Sequence, residues 1–383
     1  MLRDCVAFVA APYGFGPSSK AVAISSYLPR WINRTFFGDG PALKMAQKSN
    51  QFSSCLRLDF SVHEAHAAEI LAEHPVVVFI NSMRFLRAAS RACEAVIFVD
   101  TLAWLRTSPC SCSKSLKAYF AQRFFDHPFP ESLNESANFQ AVGAIVPKTL
   151  IPANDGADIE PDRKSPIVHC GGLFSPAMRD GADISFAGHL FETLESVNVP
   201  LRIIAPQHLS AHFASRSTRE FSLLDCTPVT VPEHILGSSF ALTTSGIEFT
   251  YESMLLGVPT LFLPPFNTSQ HLQLQYHRRA FDGSIQFRLG RQDAQIPASS
   301  LDQDTAAMQV SGMLGGWKKQ FDAIASYLMR TLTSGGTVQL RALREAQTEA
   351  VRRVGRDGAQ TIAAHVIQEL SSPVRMKCVS QST

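Results

Sequence analysis

Thr244-Ser-Gly-Ile-Glu-Phe-Thr-Tyr-Glu-Ser-Met-Leu-Leu-Gly-Val-Pro-Thr-Leu-Phe-Leu-Pro-Pro-Phe-Asn-Thr-Ser-Gln270 reads as loop, helix, strand, loop. Ser245 and Gly246 stand where the helix begins, and serine is a good N-cap because its hydroxyl accepts from an orphan backbone N–H. Phe249, Met254 and Leu255 supply an apolar face at roughly helical spacing. Gly257 is placed to stop the helix, with Pro259 beyond it. Thr260 to Leu263 reads as a short buried strand, and Pro264-Pro265 ends it.

This order of elements has a chemical use. A helix start carries free N–H groups and partial positive charge, so it can hold a diphosphate. Glu252 lies about two turns inside, where a carboxylate can accept hydrogen bonds from a ribose diol. Asn267, Thr268 and Gln270 follow the carboxyl end of the strand, where open α/β sheets bind ligands. Their uncharged amides and hydroxyl suit sugar hydroxyls.

Upstream, strands alternate with helices, which implies parallel pairing through βαβ crossovers. Val6 to Ala11 reads as a buried strand, followed by the loop Gly14-Phe-Gly16-Pro-Ser18-Ser-Lys20 and a helix. The loop is no P-loop, because Ser19 stands where the second glycine is required. It is no dinucleotide fingerprint either, since Gly14-x-Gly16 is followed by Ser19. Thr35 to Gly38, Cys55 to Phe60, Val76 to Ile80 and Ala95 to Asp100 read as further strands. Asp100, at the carboxyl end of its strand, is a candidate base or acceptor contact, or a cap of the next turn. Tyr119 to Phe125 is expected to be helical, and His63 and His66 are expected on a solvated helix face rather than on a metal.

The Pro/Gly-rich segment 151–166 is the best linker in the chain. It divides a first lobe, residues 1–150, from a second, 167–335, that repeats the βα pattern. Ile167 to His169 is a strand leading into Gly171-Gly172 and Ser175, again a strand followed by a glycine loop. Pro228 to Val231 and Ser238 to Thr243 read as strands. Residues 336–370 form a helical segment broken near Gly355 and Gly358, and 371–383 read as a disordered tail.

The totals exclude several classes. A chain of 383 residues accommodates two domains. A net charge of +2 gives no bulk drive toward nucleic acid or anionic lipid. Eight scattered cysteines fit a reduced, cytoplasmic set rather than a disulfide framework. Cys110-Ser-Cys112 lacks the spacing and second pair of a zinc site, so no metal is expected. No run reaches the roughly 18 apolar residues needed for an integral membrane segment. The start, Met1 to Pro12, is better explained by a first strand than by a signal peptide.

Ser245-Gly246, Glu252, Gly257-x-Pro259 and the loop bearing Gln270 resemble the donor-site segment of GT-B glycosyltransferases, such as lipid-II-forming N-acetylglucosaminyltransferases and UDP-glycosyltransferases. Within that superfamily, Gly14 to Lys20 and Leu263 to Gln270 are most similar to cytosylglucuronate synthases. The resemblance implies two facing Rossmann-like lobes and a C-terminal helix returning to the first. It implies a metal-independent, inverting transfer from a nucleotide sugar, UDP-linked and in one version UDP-glucuronate, to a small acceptor such as cytosine. No cofactor is implied, and a homodimer stays open. The implied donor-binding set is Gly14, Gly16, Gly171, Gly172, Ser175, Ser245, Gly246, Glu252, Asn267, Thr268 and Gln270. Such enzymes often carry a basic His in the first loop; here Pro17-Ser18 occupies that place. Ser18, Lys20 and Asp100 are the remaining candidates for catalytic roles, with Lys20 the nearest cation for a uronic acid. A sugar-nucleotide epimerase and a non-catalytic nucleotide-sugar binder on the same fold are the alternatives.

Overall fold

The structure, a computed structural model, describes residues 4–12, 15–106, 115–134, 137–150, 165–171, 173, 181–196, 200–216, 222–224, 230–281, 321–322, 325–326 and 336–372. The apolar run Cys5–Ala10 forms β1, buried along its whole length. Burial on both faces is what a central parallel strand requires. Six more strands join it: β2 (Asn33–Gly38), β3 (Ser54–Arg57), β4 (Val76–Ile80), β5 (Ala95–Asp100), β6 (Ala118–Gln122) and β7 (Phe139–Val142). They pair in parallel in the order β3-β2-β1-β4-β5-β6-β7.

Alternation along β1 divides the first lobe into two cores. Val6, Phe8 and Ala10 face α1 (Gly16–Ser25) and α2 (Gly40–Ser49), while Ala7 and Val9 face α3 (Glu64–Leu71) and α4 (Leu86–Ala92). His63 caps α3, its Nδ1 accepting from the Ala65 N–H at 3.3 Å. One expectation fails here: Tyr119 to Phe125 is not a helix. Ala118–Gln122 is β6, in register with β5 and β7. A short apolar run fits either state by pattern, and two available strand edges decide it. Beyond β6 lies the short α5 (Glu131–Asn134).

The second lobe holds β8 (Ile167–His169), β9 (Arg202–Ile204), β10 (Ser222–Leu224), β11 (Ala241–Thr243) and β12 (Thr260–Phe262), all parallel, in the order β10-β9-β8-β11-β12. Its helices are α6 (Ala182–Ser196), α7 (Gln207–Arg216), α8 (Val231–Leu236), α9 (Ile247–Leu255) and α10 (Thr268–Ala280). Val231, expected to end a strand, instead opens α8, and residues 225–229 lie outside the described set.

The last two helices among the described residues are α11 (Gly336–Val354) and α12 (Gly358–Ser371), with the expected break between them. α11 seals the open edge of β12. The Gln347 carboxamide accepts from the Thr260 N–H and donates to the Thr260 carbonyl, both at 2.8 Å, as a neighbouring strand would. α12 crosses back, and Ala359, Ile362, Ala363 and Val366 complete the first-lobe core beside Phe8 and Ile24. The crossing is tight. Gly358 N–H donates to Ala144 at 3.2 Å, and a Cβ on Gly358 would stand 2.4 Å from the Gly143 carbonyl.

Candidate functional site

Strand order reverses at two places, and open sheets bind ligands at such points. In the first sheet the switch lies between β1 and β4, and in the second between β8 and β11. β1 leads into α1 and β11 leads into α9. These two switch-point helices meet: the Lys20 ammonium of α1 contacts the Glu248 carboxylate of α9. Lys20 also donates to the Ile145 carbonyl at 2.8 Å and is only 2% exposed. A second bond ties the lobes, from the Tyr251 hydroxyl of α9 to the Arg123 carbonyl at 2.7 Å. Phe125, in the left-handed region at φ 49°, turns the chain beneath it. Tyr276 of α10 holds the same turn through Asp126.

The start of α9 differs from the expectation in one detail. Gly246, not Ser245, is the N-cap residue, and no side chain caps the helix. The first-turn N–H groups of a helix have no intrahelical acceptor. Ser245 instead donates from Oγ to the Gln270 backbone carbonyl. Gln270 in turn accepts at Oε1 from the Phe266 N–H at 2.7 Å. Asn267 caps α10, its Oδ1 accepting from the Gln270 N–H at 2.9 Å. Ser245, Asn267 and Gln270 thus form one bonded unit that joins the α9 start to the loop after β12, with Thr268 buried as the first residue of α10.

Glu252 is 3% exposed, and no hydrogen bond to its carboxylate occurs among the described residues. Burial pushes its pKa well above the usual carboxylate range; Glu248 adds to the rise and Lys20 opposes it. Glu248 is also raised by burial, against the pull of Lys20. Glu248 was not singled out by sequence. The available signal was a like-charged pair four residues apart on one helix, which normally destabilises it.

On the β8 side, the His169 ring stacks on Phe249 with centroids 4.1 Å apart and planes 5° apart. Its Nδ1 lies 3.3 Å from Thr243 Oγ1, and burial lowers its pKa to about 3. A Cβ on Gly171 would lie 2.6 Å from this ring, so the chain passes here only as glycine. Gly172 and Ser175 lie outside the described residues, as does Gly14; Gly16 opens α1.

The three catalytic candidates are all engaged. Ser18 is fully buried and donates to the Phe15 carbonyl at 2.9 Å. Lys20 is held by Glu248 and Ile145. Asp100 is fully buried and accepts from the Tyr119 hydroxyl at 2.8 Å, the Leu102 N–H at 2.9 Å and the Arg106 guanidinium. Lys20 meets the second lobe, whereas Asp100 and Ser18 stay within the first.

Comparison with solved structures matches this architecture over nearly the whole chain. UGT2 of Phytolacca americana, complexed with UDP-2-fluoro-glucose and pterostilbene, superposes with a TM-score of 0.56 at 13% identity, covering 96% of this chain and 100% of that one. Os79 from O. sativa, in complex with UDP, gives 0.57 at 12%, covering 95% and 100%. HepE of Anabaena, in complex with UDP and glucose, gives 0.52 at 10%, covering 96% and 100%. The fold is GT-B. No family model matches the chain, and no curated protein matches it significantly. α9 belongs to the second lobe, and Lys20 reaches it from the first. Among the described residues, no helix is long and apolar enough to cross a membrane.

Proposed function

We propose that the chain is a cytoplasmic, metal-independent, inverting glycosyltransferase that takes a sugar from a UDP-linked donor. The observation that carries this reading is the start of α9. It lacks a side-chain cap, lies at the switch point of the second sheet, and has Glu252 buried and without a hydrogen bond behind it. UDP or UDP-sugar sits in the three similar structures described above, each of the same fold.

In this reading the donor diphosphate lies on the first-turn N–H groups of α9 and on the loop at Gly171-Gly172, with Ser175 adding a hydroxyl. These dipoles stabilise charge on the departing diphosphate without a cation. Glu252 takes the ribose diol. Asn267, Thr268 and Gln270 line the sugar side, with Ser245 fixing their loop. The acceptor enters from the first lobe near Gly14, Gly16 and the segment after Asp100. Asp100 acts there through Arg106, which it orients. A nucleobase nitrogen such as that of cytosine needs a weaker base than a hydroxyl does, and this suits a site whose Ser18 and Lys20 are already engaged. Glucuronate is the donor sugar that the resemblance favours.

Thermal unfolding with UDP, UDP-glucuronate, CDP, dTDP, GDP, NAD and ATP tests the donor. A ligand that binds only the folded state raises the midpoint by mass action. A shift with UDP or its sugar, lost in Glu252→Ala, is expected. A shift with NAD or ATP alone would overturn the reading.

A further inference from the structure

Lys20, Glu248 and Glu252 place two carboxylates and one ammonium together in the buried joint between the lobes. Lys20 is 2% exposed and Glu252 3%. The Glu248 side chain is 16% exposed, but both its carboxylate oxygens are shielded from solvent, and Lys20 is the described cation against them. Four residues apart, the two acids lie on neighbouring turns of α9. One cation cannot neutralise two buried carboxylates, and an unpaired buried charge is resolved by protonation. The diphosphate of the proposed donor would add negative charge at the start of this same helix.

We infer that the Glu248–Glu252 pair retains one proton, held with Lys20 as a neutral three-member unit, and that a nucleoside diphosphate binds only to this protonated form. The inference rests on the donor-site reading and deepens it. With the proton at Glu252, its neutral carboxyl donates to one ribose hydroxyl and accepts from the other. Glu248, paired with Lys20, then adds no net charge beside the diphosphate.

Other charges near α9 do not replace this arrangement. Neighbouring α8 carries Glu233 and His234, and α11 carries Arg341, Arg344 and Glu345. Arg344 passes over Gly257, beyond the far end of α9. Arg123 and Asp126 stand on the turn that the two tyrosines hold. After burial, Glu248 and Lys20 are the described groups that bear on the Glu252 carboxyl.

The test is UDP binding by calorimetry across about pH 5 to 9, in buffers of different ionisation enthalpy, for the wild type and Glu252→Gln. The variant subtracts the titration of UDP itself. Wild-type affinity is expected to fall about tenfold per pH unit once the pair loses its proton, with matching proton uptake on binding. That extra dependence should vanish in Glu252→Gln. Equal pH profiles and proton counts in the two proteins would overturn the inference and leave the donor site standing. No UDP binding to the wild type at any pH would overturn both. Carbon-13 labelling of glutamate carboxyls gives a second measurement on the wild type alone. One carboxyl is expected to keep its protonated chemical shift at pH 7, and full ionisation of all of them would sink the idea.

Discussion

Lys20 and Glu248 form an ion pair that joins the two lobes at their switch points. Removing one partner of a buried pair strands the other charge, at a cost of about 3–5 kcal/mol. Lys20→Met and Glu248→Gln are each expected to lose roughly that much stability. The double variant Lys20→Met/Glu248→Gln should recover much of the loss. Urea unfolding of the four proteins closes the cycle, and strictly additive losses would show that the pair carries no coupling.

Tyr251 is the second tie between the lobes. Its hydroxyl donates to the Arg123 carbonyl at 2.7 Å and accepts from the Phe125 N–H at 3.3 Å. Tyr251→Phe leaves both backbone groups without this partner, for an expected loss of about 1–3 kcal/mol. Amide exchange at Phe125 should accelerate in the variant. Unchanged protection there would mean that the turn is held by packing alone.

Gln347 acts as a substitute strand on the edge of β12. Gln347→Leu removes both bonds to Thr260 while keeping the volume. The expected loss is about 2 kcal/mol, with faster exchange of the Thr260 amide.

His277 gives the protein an acid limit. Its ring is fully buried, stacks on Phe262 at 4.2 Å, and has neither nitrogen hydrogen-bonded among the described residues. Burial lowers its pKa from 6.5 to about 3. The unfolded chain therefore takes a proton that the folded protein refuses. This contribution is fully present above pH 6.5 and is lost as pH falls toward 3, at up to about 1.4 kcal/mol per pH unit. His169 has the same sign, so His277→Phe should remove only part of the slope. Urea midpoints at about pH 7, 5 and 4 measure it; identical slopes in both proteins would place the effect elsewhere.

What sequence revealed was local. The strand of Val6 to Ala11, the helix after Ser245-Gly246 and the strand at Thr260 each carry their pattern within a few residues, and each forms as expected. Tyr119 to Phe125 misled because a short apolar run has no period of its own, and only the pairing of β6 with β5 and β7 settles it. The proposed donor side could be singled out in sequence because one continuous stretch supplies Ser245 through Gln270. The contacts between distant segments could not. Lys20 meets Glu248 from more than half the chain away, and Asp100 meets Tyr119 and Arg106 only through the fold. Polar side chains at strand ends look alike in sequence whether they face a ligand or close a local network.

The return of α12 to the first lobe bears on how the protein is made. Ala359, Ile362, Ala363 and Val366 belong to the core of Phe8 and Ile24, yet they are translated last of all these groups. On the ribosome, domains tend to fold in the order in which they emerge. The first sheet here emerges with one apolar face lacking its final helix until the second lobe has been synthesised. A fragment ending at the interlobe segment would carry that same bare face. Supplying α12 as a separate peptide is the natural way to recover it, because the first and last parts of the chain share one core.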